Sequence, residues 1–277
     1  MKRTLTLLAI LAAIGPAWGA EVVSSNIVGY HKVNLVKGFN MVAPQFVYVG
    51  SDSLTRGIST IGTLANASGG AMAGYDDDYF YATTMKVWDS TKQDYISYGW
   101  AGTSPEDIDD MAELNNTWLD AGTEETDDTV DVGQGFWVKA AEAGTMTISG
   151  EVPSGNNIPA GGLVVNLVAG FNMVANPYPM EVPVSTFGVL ANSSGGAMAG
   201  YDDDYFYATT MKVWDSSKQD YVSYGWAGTS PGEIDDMDEL NNTWLDAGTE
   251  ETTDKIPAGA AVWIKAAEAG TITFPEL

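Results

Sequence analysis

Thr84-Met85-Lys86-Val87-Trp88-Asp89-Ser90-Thr91-Lys92-Gln93-Asp94-Tyr95-Ile96-Ser97-Tyr98 decides the fold, and the chain repeats this stretch from Thr210 to Tyr224 with only Ser217 for Thr91 and Val222 for Ile96. Residues 84–88 alternate between small or apolar and polar or bulky side chains, and 95–98 alternate again. A period of two is the signature of a strand with one face buried. Asp89 to Asp94 is wholly polar and reads as the turn of a hairpin. Met85 and Val87 are expected on the core face, with Lys86 and Trp88 on the opposite one.

The repetition extends well beyond the hairpin. Leu64–Thr123 and Leu190–Thr249 align without a gap at an offset of 126, and six of the sixty positions differ. Downstream, Phe136-Trp137-Val138-Lys139 matches Val262-Trp263-Ile264-Lys265. Upstream, Val33–Ala43 matches Val165–Ala175 at an offset of 132, so the first copy carries six extra residues, within Gln45–Thr60. Each copy has the length of an ordinary domain. The expected division is a targeting segment at 1–19, a first module at 20–150, a Gly/Pro/Asn-rich linker at 151–162 and a second module at 163–277. The period exceeds that of solenoid repeats, which favours two beads over a continuous stack.

Two further hairpins are expected, Val33–Ala43 about Gly38 and Gly133–Ile148 about Ala140–Gly144. Ser104-Pro105-Glu106-Asp107 carries helix-start signals before Ile108, Met111 and Leu114, and Ser230–Leu240 repeats them. Short aromatic and β-branched runs with regular turns lead to an all-β fold of two tandem β-sandwich-like modules, each with one short helix.

Gly38-Phe39-Asn40-Met41-Val42-Ala43 and Gly170–Pro177 resemble a "GWNLISNP"-type opening strand, and Gly133-Gln134-Gly135-Phe136-Trp137 resembles the "GxGYW" closing strand of the same modules. Ser25-Asn26-Ile27-Val28-Gly29-Tyr30 is similar to the mature start of exported bacterial proteins that carry such tandem modules. The resemblance implies a β-sandwich on a secreted or cell-surface protein and carries no catalytic residues. The second copy departs from the motif at Ala260-Ala261-Val262-Trp263.

The first residues fit export. Lys2 and Arg3 precede an apolar run from Leu5 to Ile14, broken by Gly15 and Pro16, and Ala17-Trp18-Gly19 suits cleavage after Gly19. The run is too short to cross a bilayer, and no second long apolar run follows, so no transmembrane segment is expected. The chain has 277 residues, no cysteine, and 37 Asp and Glu against 12 Lys and Arg. Disulfides and thiol chemistry are excluded. A charge of −25 disfavours nucleic acid and anionic membranes as partners.

Two sets of residues are candidates for sites. Asp76, Asp77, Asp78 and their repeats Asp202, Asp203, Asp204 cluster carboxylates that suit Ca²⁺, although the spacing is not that of an EF-hand and a solvated acidic turn is the favoured alternative. Trp88, Trp100, Trp118, Trp214, Trp226 and Trp244 are candidate ligand or interface residues, because an exposed Trp can stack on a sugar or fill an interface. A second buried face in the sandwich is the alternative for them. The single histidine, His31, has no counterpart in copy two, and no nucleophile, base or acid pair forms a catalytic constellation.

The expected function is accordingly that of a self-assembling subunit of an extracellular filament, layer or matrix, not an enzyme. Two copies of one surface suit head-to-tail assembly. A bivalent glycan-binding or adhesion protein is the alternative, and a glycoside hydrolase ranks last.

Overall fold

The computed structural model describes residues 28–47, 58–60, 67–68, 83–100, 118–120, 126, 128–152, 162–185, 187, 209–227, 243–246 and 252–274. The strands of the first module are β1 (Val28–Leu35), β2 (Gly38–Val42), β3 (Ile58–Thr60), β4 (Ala67–Ser68), β5 (Thr84–Asp89), β6 (Asp94–Trp100), β7 (Trp118–Leu119), β8 (Thr129–Asp131), β9 (Phe136–Ala140) and β10 (Gly144–Glu151). Those of the second are β11 (Leu163–Leu167), β12 (Gly170–Ala175), β13 (Val182–Pro183), β14 (Thr210–Asp215), β15 (Asp220–Trp226), β16 (Trp244–Leu245), β17 (Lys255–Ile256), β18 (Ala261–Ala266) and β19 (Gly270–Phe274). The protein is all-β and sandwich-like. The helices expected at Ser104–Leu114 and Ser230–Leu240, like the targeting segment and Asp76–Asp78 and Asp202–Asp204, lie outside the described residues.

Each module is built on an antiparallel five-stranded sheet, in the order β2-β9-β5-β6-β7 or β12-β18-β14-β15-β16. A smaller sheet, β1-β10-β4 or β11-β19, belongs to the same module, and a short pair, β3-β8 or β13-β17, completes it. The hairpin that opened the reading forms as expected: Trp88 pairs with Tyr95 and Asp89 with Asp94. Met85 and Val87 are buried in a core with Phe136, Val138, Tyr98, Trp118 and Ile148. Lys86 and Trp88 point the other way and are half-buried.

The other two expected hairpins do not form. β1 pairs with β10 and β2 with β9, so neither β1–β2 nor β9–β10 is a self-paired unit. The four strands instead make one antiparallel ribbon that bends from the small sheet into the large one. Leu35 faces Gly144 before the bend and Gly38 faces Ala140 after it. Asn40 ties the bend: its Nδ2 donates to the carbonyls of Val36 (2.8 Å) and Gly38 (3.0 Å), and its Oδ1 accepts from the Val36 amide (2.9 Å). Asn172 repeats this at Val168 and Gly170. Buried bonds of this kind contribute about 1 kcal/mol each and leave no orphaned amide at the corner.

Between the modules lies a third cluster, of Met41, Ala43, Trp137, Met173, Ala175, Ala261 and Trp263, with Trp88, Tyr95, Trp214 and Tyr221 packed against it. It draws on both copies, so the modules are a joined pair and not separate beads.

Candidate functional site at the module interface

The outer face of each five-stranded sheet carries the residues that the alternation of β5 and β14 sets apart from the core. In the first module Phe39, Trp137, Lys86, Trp88 and Tyr95 share that face through the pairings Phe39↔Lys139, Met41↔Trp137, Lys86↔Trp137 and Trp88↔Tyr95. The same face of the second module packs onto it with pseudo-two-fold symmetry. Trp88 meets Trp263 edge to face with centroids 4.9 Å apart, and Trp137 meets Trp214 at 5.0 Å. Such pairs add about 0.5–1.5 kcal/mol to the area they bury.

The polar contacts obey the same symmetry. Trp88 Nε1 donates to the Phe171 carbonyl (2.9 Å), and Trp214 Nε1 donates to that of Phe39 (3.0 Å). Gln93 acts as an added strand residue: its Oε1 accepts from the Phe171 amide (3.0 Å) while its Nε2 donates to the Phe171 carbonyl (2.9 Å). Gln219 does the same to Phe39 at 3.0 and 2.9 Å. The hairpin turn aims these glutamines. Asp89 Oδ1 accepts from the amides of Thr91 and Lys92, and Gln93 holds φ at 54°. The close approach explains Gly170 and Gly38, where a Cβ would stand 2.8 Å from Gln93 Oε1 and 2.7 Å from Gln219 Oε1.

The backbone accounting is completed further along the same edge. Ala175 donates to the Gly133 carbonyl (2.8 Å), Gly135 to that of Met173 (3.5 Å), and Ala43 to that of Gly259 (2.9 Å). The outer edges of β2 and β12, which would otherwise be open templates for pairing, are thus closed by the opposite module. Where the axis passes, Gly135 faces Ala261: a Cβ on Gly135 would lie 2.2 Å from the Ala261 Cβ. These two residues occupy equivalent positions in the repeat, and there is room for one methyl between them. The motif departure at Ala261 therefore has a steric basis.

Of the six tryptophans singled out from the sequence, Trp88 and Trp214 lie in this interface. Trp100 with Trp118, and Trp226 with Trp244, are buried inside the modules as edge-to-face pairs at 5.2 Å and present nothing to an external ligand. Phe39, Phe171, Gln93, Gln219, Trp137 and Trp263 belong to the interface and were not among the sequence candidates. The signal for the glutamines was their place in a turn that the repeat preserves but for Thr91, which is Ser217 in copy two.

The phenols carry most of the perturbed chemistry. Tyr98 donates to Asp128 and Tyr224 to Asp254, both at 2.6 Å, and burial with these carboxylates holds both phenols far above their ordinary range. Tyr95 and Tyr221 are raised by burial, partly offset by the indole N–H that each accepts from Trp137 or Trp263 at 3.1 Å. His31 and Gln45 approach Gly259, with His31 Nδ1 and both Gln45 amide atoms buried and without partners. Among the described residues no three His, Cys, Asp or Glu side chains converge on a metal position, and no helix is long and apolar enough to cross a membrane. Comparison of the chain with known protein families, curated proteins and solved structures finds no match.

Proposed function

We propose that the chain is an exported structural protein, a stiff two-module β unit that joins further copies of itself into an extracellular filament, layer or matrix. The observation that carries this reading is the contrast between its strand edges. β2 and β12 are closed internally by the opposite module. β1, eight residues long, pairs on one side with β10, and its other side meets no strand among the described residues. β11 stands in the same position beside β19. On β1 the outward residues Val28 and Tyr30 are 68 % and 71 % exposed, with Lys32 and Asn34 following on the same face, and Val164 on β11 is 51 % exposed. An eight-residue edge whose first outward residues are apolar is a template for strand addition, and the one charge on that face, Lys32, leaves the Val28–Tyr30 end unblunted. The internal pseudo-symmetry then supplies each unit with two similar edges, so that β1 of one copy adding beside β11 of the next propagates a chain. The contacts between the modules hold those two edges in one relation, as a repeating assembly requires.

The test is electron microscopy and light scattering of the chain lacking residues 1–19. Ordered assemblies are expected, and a Val28→Lys/Tyr30→Lys variant should remain a folded monomer, because charges on an edge oppose strand addition. A wild-type chain that stays strictly monomeric across salt and Ca²⁺ concentrations refutes the reading.

A further inference from the structure

We infer that the cavity on the outer faces of the two large sheets, bounded by Phe39, Lys86, Tyr95, Trp137, Trp214 and Tyr221, is a binding site for an acidic sugar residue such as a uronate. Its volume is about 300 Å³, at the small end of the range for ligand pockets and suited to one or two sugar rings. Three features of the cavity carry the assignment.

The first is charge. In a chain of net charge −25 a lysine is expected to find a carboxylate. Lys92, Lys218 and Lys255 do so, at Asp89, Asp215 and Glu181. Lys86, Lys139, Lys212 and Lys265, on the outer faces of the two large sheets, have no carboxylate partner among the described residues, as is also true of Lys32 and Lys37, and Lys86 is the one whose side chain lines the cavity. Lys86 Nζ sits instead 5.7 Å above the Tyr95 ring, and Lys212 Nζ sits 5.8 Å above that of Tyr221. A cation without a counter-charge in the concave site of an acidic protein selects an anion.

The second is the hydroxyl pair. Tyr95 and Tyr221 each accept an indole N–H, from Trp137 and Trp263. Neither hydroxyl proton has an acceptor among the described residues. Both phenols line the cavity and offer donors beside Lys86.

The third is the wall. Phe39 keeps 41 % of its surface exposed beside Trp137, to which it packs edge to face at 6.0 Å. Its ring, with the half-buried Trp214, presents the flat apolar surface on which the C–H face of a pyranose stacks. A carboxylate of an acidic peptide would use the lysine and the phenols but not this wall, which favours the sugar. A neutral sugar would use the wall and leave Lys86 without a counter-charge.

The experiment is calorimetric titration of the intact two-module chain with a galacturonate tetrasaccharide and with its methyl ester, in low-salt buffer. Saturable binding of the free acid is expected, with the ester weaker by about tenfold, the loss of one charge-assisted contact. Lys86→Gln should weaken the acid about fivefold to tenfold and leave the ester unchanged, and Phe39→Ala should weaken both. Near-ultraviolet circular dichroism shows that each variant retains the interface. Absence of saturable binding, equal affinity for acid and ester, or a Lys86→Gln variant that folds and binds as wild type each overturns the assignment. So does self-association that Lys86→Gln abolishes in the absence of sugar, which would give the cavity to an acidic segment of a second copy.

Discussion

Replacing Gly135 by Ala isolates the steric rule at the module axis. Gly135 does not adopt positive φ, so its backbone accepts alanine without strain. The added Cβ would stand 2.2 Å from Ala261 Cβ, 3.0 Å from Met173 Cγ and 3.2 Å from Met173 Sδ. Carbon atoms in contact sit about 3.5–4.0 Å apart, so the facing strands must separate by more than an ångström. Overpacking of that size costs about 1–3 kcal/mol. Separation also stretches Gly135 N–H to Met173, already 3.5 Å, and Ala175 N–H to Gly133, adding about 1 kcal/mol. The sum is ~2–4 kcal/mol, a fall in Tm of ~4–16 °C for a chain of this size. Ala261→Gly alone removes the one methyl and costs about 1 kcal/mol. The exchanged pair Gly135→Ala/Ala261→Gly returns a single methyl to the axis and should recover most of the loss, a coupling of about 1–3 kcal/mol. Urea unfolding followed by tryptophan fluorescence reads all four chains, because Trp137 and Trp263 lie in the same cluster. A Gly135→Ala chain as stable as wild type, or an exchanged pair no better than the single variant, would refute the steric account.

Further outcomes follow from the same contacts. Gln93→Ala and Gln219→Ala should each cost about 0.5–1.5 kcal/mol, equally within error in chemical unfolding, because each removes the same two bonds to Phe171 or Phe39; a large inequality would break the pseudo-symmetry. Gln45→Leu should stabilise by about 1 kcal/mol, read from the urea midpoint, since both amide atoms of this fully buried side chain lack partners. Leu163 already stands at the position equivalent to His31, so His31→Leu should act in the same direction. Stability should decline in alkali. Tyr98 and Tyr224 have folded values raised above the ordinary 10.0, by burial first and by Asp128 or Asp254 second, and burial pushes Tyr178 up to about 12. A raised phenol favours the neutral form in the fold, so its contribution is complete below about pH 10 and is lost as pH climbs towards the folded value. Phenolate absorbance from these three should appear above pH 10 and together with unfolding; full ionisation near pH 10 in a folded chain would contradict this.

Much of the molecule was legible in its residues. The duplication, the all-β class and the two faces of β5 and β14 follow from identity at a fixed offset and from a period of two. Met85 and Val87 could be assigned to a core and Lys86 and Trp88 to the reverse face, because alternation along one strand is a local property. The polar turn at Asp89–Asp94 was equally local. Its glutamine was visible, but its partner Phe171, 78 residues away, was not.

What alternation leaves open is the covering of a face once it has been identified. Trp100, Trp118, Trp226 and Trp244 share the aromatic character of Trp88 and Trp214, and only packing separates core from interface. Two apparent hairpins became one bent ribbon, because β1 and β2 find partners about a hundred residues downstream. Gly135 and Ala261 looked like drift in a motif until the fold brought them to one axis with room for a single methyl. The sequence by itself determined the duplication, the all-β class, the central hairpin and which side of β5 and β14 is apolar, since those are set by neighbours along the chain or by identity between copies. Tertiary structure alone decided which strands pair, which edges close and which stay open, since those depend on distances between residues that the chain order keeps far apart.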